Sequence, residues 1–222
     1  MPKVFIAVGH GGKDPGAVAN GLKEKDINLA IAKSCEEELK KNGIEVLLSR
    51  YKDEDDTLLD EIRECNEYDA DIAVAIHVNA GGGDGFEIFH HSGGHNSKRL
   101  AEYIEIEVKK LNNSRGLKTR LNDKGKDYYG FIRDTNPPAI IIECAFIDNK
   151  KDIEVVDEAE EQKAFGKAYA KGILNYFGIK QKESQEDIWD NFNNAINDLL
   201  KNVKDFEESL LKFQEVIKKG GE

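Results

Sequence analysis

Val4-Phe5-Ile6-Ala7-Val8, followed by Gly9-His10-Gly11-Gly12-Lys13-Asp14-Pro15-Gly16, is the stretch on which the fold turns. Five consecutive apolar residues, four of them β-branched or aromatic, read as a short strand buried on both faces. The glycines behind it mark the loop that leaves the strand's carboxyl end. Four further runs share this character: Ile44–Leu48, Ile72–His77, Gly85–Phe89 and Ala139–Glu143. Between them lie helical stripes. Ile27, Ile31, Cys35 and Leu39 recur every four residues up to Gly43, a C-terminal helix stop. Leu58, Leu59, Ile62 and Cys65, then Leu100, Ile104, Val108 and Leu111, then Phe165, Tyr169, Ile173 and Tyr176 give three more. Each stripe is expected to face the core. Strand and helix thus alternate from residue 4 to about 177, which predicts an α/β fold: a single twisted, mostly parallel sheet with helices on both faces.

Composition narrows the function. The 222 residues are 39% hydrophobic, enough for a real core, and 34% charged. The balance of 32 basic to 43 acidic residues gives a net charge of −11, which argues against nucleic acid as a partner, because phosphates call for clustered Lys and Arg. No run approaches the ~18 apolar residues of a membrane span. The apolar run at the N-terminus is shorter than a signal-peptide core of about 7–15 residues, so the reading is synthesis in the cytoplasm without a signal peptide. Cys35, Cys65 and Cys144 lie far apart with no Cys-x-x-Cys pair, so reduced, buried thiols are expected and a zinc finger is excluded.

The pattern changes after Gly178. Ser184 and Asp187 resemble a capping box. Trp189, Phe192, Ile196, Leu199, Val203, Phe206, Leu210, Phe213 and Ile217 then follow at alternating spacings of three and four, up to Gly220-Gly221. This heptad seam predicts a C-terminal α-helix on the order of 50 Å long. The expected domains are therefore a catalytic-looking region, 1–178, and a helical segment, 179–222. Ten acids against seven lysines leave −3 on the segment and −8 on the rest. Such a helix needs a partner. It either packs on the α/β region or pairs with copies of itself, and the regular spacing favours a homo-oligomer, a dimer first, through residues 184–219.

The glycine loop is no nucleotide cradle: it has neither Gly-x-Gly-x-x-Gly nor Gly-Lys-Ser/Thr. It offers instead an imidazole, His10, at a strand's carboxyl end, where functional crevices of open α/β sheets lie. His77 ends the apolar run Ile72–Ile76, and Glu143 ends Ala139–Ile142. A carboxylate behind four apolar strand residues must point into a polar site or sit beside a cation. Glu24, at the start of the helix at Lys25-Asp26-Ile27, reads by itself as a partner of the helix dipole. Two imidazoles and two carboxylates match a catalytic zinc set with a general base. They are scattered, however, and no His-Glu-x-x-His helix joins them, so spacing alone leaves the metallohydrolase one reading among others. Asn79 and Glu87 share the presumed rim and are candidate substrate contacts, beside the alternative of turn and sheet-edge residues. His90, His91 and His95 read as solvent-exposed loop histidines. The irregular segment Asn122–Pro138 is a candidate wall of the groove.

Four blocks in order are similar to a known family: Gly9–Ala17 with Gly21–Leu29, Ala75–Ala80, Gly85–Phe89 and Pro138–Asn149. Together they resemble the zinc-dependent N-acetylmuramoyl-L-alanine amidases of bacterial autolysins and phage endolysins, over about residues 3–177. The resemblance implies one Zn2+ per chain held by His10, Glu24 and His77, with Glu143 as the catalytic carboxylate. The implied reaction is hydrolysis of the amide joining N-acetylmuramic acid to L-alanine in bacterial peptidoglycan. Val8 departs from the acidic residue that commonly precedes Gly-His in the family, which removes an expected partner of His10, and Ala145 replaces a usual glycine. Arg63 and Asn66 match the family on the second helix. Likeness to endolysins implies action on the wall after holin-type release or cell lysis. Two other functions remain open at this level: a zinc peptidase cutting within the stem peptide, and a non-catalytic wall-binding scaffold built on the coiled coil.

Overall fold

The structure, a computed structural model, describes residues 1–182 and 185–219. Six strands form one mixed sheet in the order β4-β1-β5-β8-β6-β7. They are β1 (Lys3–Val8), β4 (Glu45–Leu48), β5 (Ile72–Asn79), β6 (Phe86–His90), β7 (Ser114–Lys118) and β8 (Ala139–Phe146). β4, β1, β5 and β8 run parallel; β6 pairs antiparallel with β8 and parallel with β7. Two-residue strands β2 (Val18–Ala19) and β3 (Leu22–Lys23) make a small hairpin.

β1 is buried on both faces, as its unbroken apolar run requires. Val4, Ile6 and Val8 join the larger core cluster, with α1 (Glu24–Lys41), α3 (His95–Val108) and α6 (Ala159–Tyr176); Phe5 and Ala7 join a smaller one with α2 (Leu58–Tyr68) and α4 (Gly130–Asp134). Helices therefore cover both faces of the sheet. A short α5 (Lys150–Ile153) follows β8. The stripe on α1 is buried as expected, as are Leu100, Ile104 and Val108 on α3 and Phe165, Tyr169 and Ile173 on α6, whereas Leu111, beyond the end of α3, and Tyr176 are half-buried; on α2 Leu58 and Leu59 are exposed while Cys65 is buried. The apolar side of α2 is narrower than its sequence suggests because the helix covers only the smaller core cluster. All three cysteines are buried and free.

The chain divides into two compact units, with the second beginning at Lys182. In the second, α7 (Gln185–Lys219) is one continuous helix, and Trp189, Phe192, Ile196, Leu199, Val203, Phe206 and Leu210 are exposed on it. The expected boundaries at Ser184 and at Gly220-Gly221 lie outside the described residues, as do the side chains of Asp187, Phe213 and Ile217. Among the described residues, no helix is long and apolar enough to cross a membrane.

Candidate active site

The site gathers at the carboxyl ends of β1 and β5. His10 follows β1 and adopts φ 63°, a left-handed conformation that costs energy for a residue with a side chain. This turn aims the ring back over the sheet toward α1. Glu24, the first residue of α1 and 4% exposed, meets it there. Glu24 Oε1 lies 3.2 Å from His10 Nε2 and 3.0 Å from His77 Nδ1. It also accepts the Val78 N–H, and Oε2 accepts the Ala17 N–H. One donor atom from each of the three residues lies within 4.8 Å of the others. The rings of His10 and His77 stand edge to face, 5.2 Å apart.

Two glycines make this approach possible. A Cβ on Gly9 would stand 2.3 Å from the His77 ring, and one on Gly16 would stand 2.6 Å from Glu24 Oε2 and 2.7 Å from His10. Gly16 also has φ +65°, so any substitution there is strained as well as crowded.

Electrostatics follow from the crowding. Burial disfavours charge on Glu24, but hydrogen bonds from His10, His77 and the Ala17 N–H outweigh it and hold the carboxyl far below its usual range. The hydrogen bond to Glu24 drives His10 up to about 9 against the opposing effect of burial, with Asp14 assisting. His77 is also raised: burial lowers it, but Glu24 and the Glu143 charge prevail. A carboxylate drawing two imidazoles upward is a cluster arranged around positive charge. Two imidazole nitrogens and one carboxylate oxygen, converging this closely, fit a single metal ion.

Asp14 supplies what Val8 cannot. Its Oδ2 lies 2.8 Å from His10 Nδ1, leaving Nε2 turned toward Glu24. The signal for it was four residues from His10 in the same loop. Arg50, 2% exposed, carries no sequence signal that sets it apart from a surface arginine. It donates to the carbonyls of Val8, Gly9 and Lys25, tying the β1 end to the start of α1. The buried Lys25 donates to Gly12 O and to Asp53, whose Oδ1 also accepts the Gly12 N–H, so the glycine loop is strapped from both sides.

Glu143 occupies β8 directly beside His77 on β5 and directly beside Glu87 on β6. Burial pushes its carboxyl up; His77 opposes this, and the charges of Glu24 and Glu87 add to it. Both strands outrun their expected ends: β5 continues past His77 to Asn79, and β8 continues past Glu143 to Phe146. Glu87 is buried, and its Oε1 takes Arg115 Nε and Lys118 Nζ, each at 2.5 Å. Burial disfavours its charge, but Lys118 and Arg115 keep it below the ordinary range. Asn79 closes β5 with its Oδ1 accepting the Ala80 N–H. His90 differs from expectation: it is buried at the end of β6, whereas His95 is exposed and His91 pairs with Asp127. Arg63 pairs with Asp60 on the surface, and Asn66 bonds Asp134 O and Asn136 N.

A cavity of about 280 Å3 opens beside His10 and His77, and Tyr129, Gly130 and Phe131 form one side of it. The segment Asn122–Pro138 thus contributes a wall, with the short α4 inside it.

Residues 4–175 match the family model described as N-acetylmuramoyl-L-alanine amidase. The chain belongs to that family. The endolysin of Bacillus phage SPP1 is 36% identical over 188 residues, 81% of this chain and 67% of that protein. The N-acetylmuramoyl-L-alanine amidase CwlM of Bacillus licheniformis is 33% identical over 186 residues, 82% of this chain and 71% of its own length. Among solved structures, the catalytic domain of the amidase CwlV from Bacillus (Paenibacillus) polymyxa superposes with a TM-score of 0.73 at 29% identity, covering 81% of this chain and all (100%) of that one. Cwp6 from Clostridium difficile gives 0.76 at 36% identity, covering 79% of this chain and 29% of that chain. The amidase match ends at Tyr176's threshold, before α7 begins, so the helix lies outside what the family model covers.

Proposed function

We propose that the protein is a zinc-dependent peptidoglycan amidase that cleaves the bond between N-acetylmuramic acid and the L-alanine of the stem peptide. The observation that carries this reading is the convergence of His10, Glu24 and His77 on one point beside an open cavity, with Glu143 on the neighbouring strand. His10, Glu24 and His77 would hold one zinc ion. When bound, that ion supplies a Lewis acid for the scissile carbonyl and lowers the pKa of a water toward ~7.

The chain's own groups do the rest. Glu143 takes the proton from the attacking water and delivers it to the departing amine of L-alanine. Its raised pKa supports both halves of that shuttle, since a carboxyl moved toward neutrality accepts and returns a proton more evenly. Asp14 fixes the orientation of the His10 ring through Nδ1, and the Val78 N–H fixes Glu24. Asn79 and Glu87 are proposed at the substrate rim, where the ion pairs of Glu87 give it an orienting role for Arg115 and Lys118.

The endolysin among its relatives supports synthesis in the cytoplasm followed by release to the wall. For the second unit, the exposed apolar side chains of α7 support self-association, a dimer first, which would place several sites on one polymeric substrate. Mass in solution of the full chain against a chain ending at Gly178 checks this; monomers in both would refute it. The catalytic reading is tested by digesting purified wall and identifying new amino termini. L-Alanine termini with free lactyl ends are expected; termini within the stem peptide would make the enzyme a peptidase.

A further inference from the structure

The cavity beside His10 and His77 has an acidic wall that the catalytic reading does not use. Asp14, Asp56 and Glu61 line it together with the rings of Tyr129 and Phe131, and no lysine or arginine does. Asp14 is engaged with His10. Glu61 has no such partner, and Asp56 is satisfied only in part. Glu61, on α2, is 8% exposed, and its carboxyl takes no hydrogen bond or ion pair from the described residues. Asp56 is half-buried; its carboxyl takes hydrogen bonds from the Ser49 hydroxyl and the Thr57 N–H, while its Oδ2 is left buried and unpartnered. The guanidinium of Arg50 is near enough to feel both carboxyls, yet its donors go to the carbonyls of Val8, Gly9, Lys25 and Lys52.

A buried carboxyl without partners, as Glu61 has, is costly, and native proteins satisfy nearly all such groups. Burial first, and then the neighbouring Asp56, hold Glu61 up at about 7, although the charges of His77, His10 and Arg50 oppose this; burial likewise raises Asp56 against its hydrogen bonds from Ser49 and Thr57. Both effects are relieved by a positive charge entering from the cavity. The aromatic rings add a favourable surface for a cation, and Leu58, Ala75 and Ile141 an apolar one for the carbons that carry it.

We propose that Glu61 and Asp56 form a subsite for a primary ammonium group of the substrate, next to the bond being cut. The proposal rests on the peptidoglycan amidase reading. Peptidoglycan can present such a group from two sources: the 2-amino group of a de-N-acetylated amino sugar, or the side-chain amine of a diamino acid in the stem peptide.

The test uses the zinc-loaded full chain and soluble muramyl peptides in which each amine is either free or acetylated. Two quantities are read: kcat/KM for each peptide, and its affinity by calorimetry in a Glu143→Gln background. Acetylating the recognised amine is expected to lower both by about tenfold, and the peptide series identifies which source is used. Glu61→Gln and Asp56→Asn, each preserving volume, are expected to bring the free-to-acetylated ratio close to one, and either variant suffices if the other fails to fold. Equal values for free and acetylated peptides in the unaltered enzyme, or an undiminished ratio in both variants, overturn the proposal. So does a second metal ion per chain that disappears in Glu61→Gln, which would assign the carboxyls to a cation of another kind. If no peptide is cleaved while the affinity ratio holds, the amidase reading fails and the ammonium subsite stands.

Discussion

Glu143 on β8 and His77 on β5 are direct neighbours across a parallel strand pair, so the proposed base and a proposed ligand project from one row of the sheet. A rigid, buried sheet sets their spacing more firmly than loops could. Replacing Glu143 by Gln preserves shape while removing the proton acceptor. Turnover on wall fragments is expected to fall by about a hundred- to ten-thousandfold, with metal content unchanged by elemental analysis. A variant that lost its metal along with its activity would move Glu143 from proton transfer to site assembly.

Asp14 holds His10 Nδ1 in the place of the acidic residue that Val8 lacks. Asp14→Ala is therefore expected to weaken metal binding by about 10- to 100-fold in competition with a chromophoric chelator. Unchanged affinity would show that the glycine loop alone orients the ring.

Gly16 faces both His10 and Glu24 at φ +65°. Gly16→Ala forces either the loop or Glu24 to move. It is expected to destabilise the fold by about 1–3 kcal/mol in denaturant titrations and to reduce metal affinity in parallel. Gly21→Ala, at φ +80° but with open space around it, is the control for backbone strain without the collision.

The pH behaviour of the metal-free protein has a definite sign. His10 rises from 6.5 to about 9 in the folded chain. Its contribution to stability is thus complete below its unfolded value and is lost as pH rises through its folded value. Chelated protein is expected to lose thermal stability between about pH 6.5 and 9.5, less steeply in His10→Gln. Metal binding at about pH 7.5 should also release a proton, visible as buffer-dependent heats in calorimetry. Heats independent of buffer would contradict the coupling.

The strands of the inner sheet were legible because both their faces are buried, which leaves continuous apolar runs such as Ile72–Ile76. β7, Ser114-Arg115-Gly116-Leu117-Lys118, was not: it is an edge strand, half-buried, with charges and a glycine where an inner strand would carry Val or Ile. The strands run past the ends expected at His77 and Glu143 for a related reason. Polar residues interrupt the apolar pattern although the backbone ladder continues beneath them. The site residues His10, Glu24 and His77 stood out by residue type and by likeness to a family. Glu61 did not, because a glutamate on a helix of mixed composition looks solvated until α2 is laid against the sheet and the cavity closes over it.

The most direct measurement is a metal titration followed by its products. Protein stripped by chelation is titrated with zinc while release of L-alanine amino termini from purified peptidoglycan is followed. Activity should return in proportion to zinc, saturating at one ion per chain, and should not return in His10→Ala, Glu24→Ala or His77→Ala. Full activity in the stripped protein, or saturation without L-alanine termini, would contradict the account.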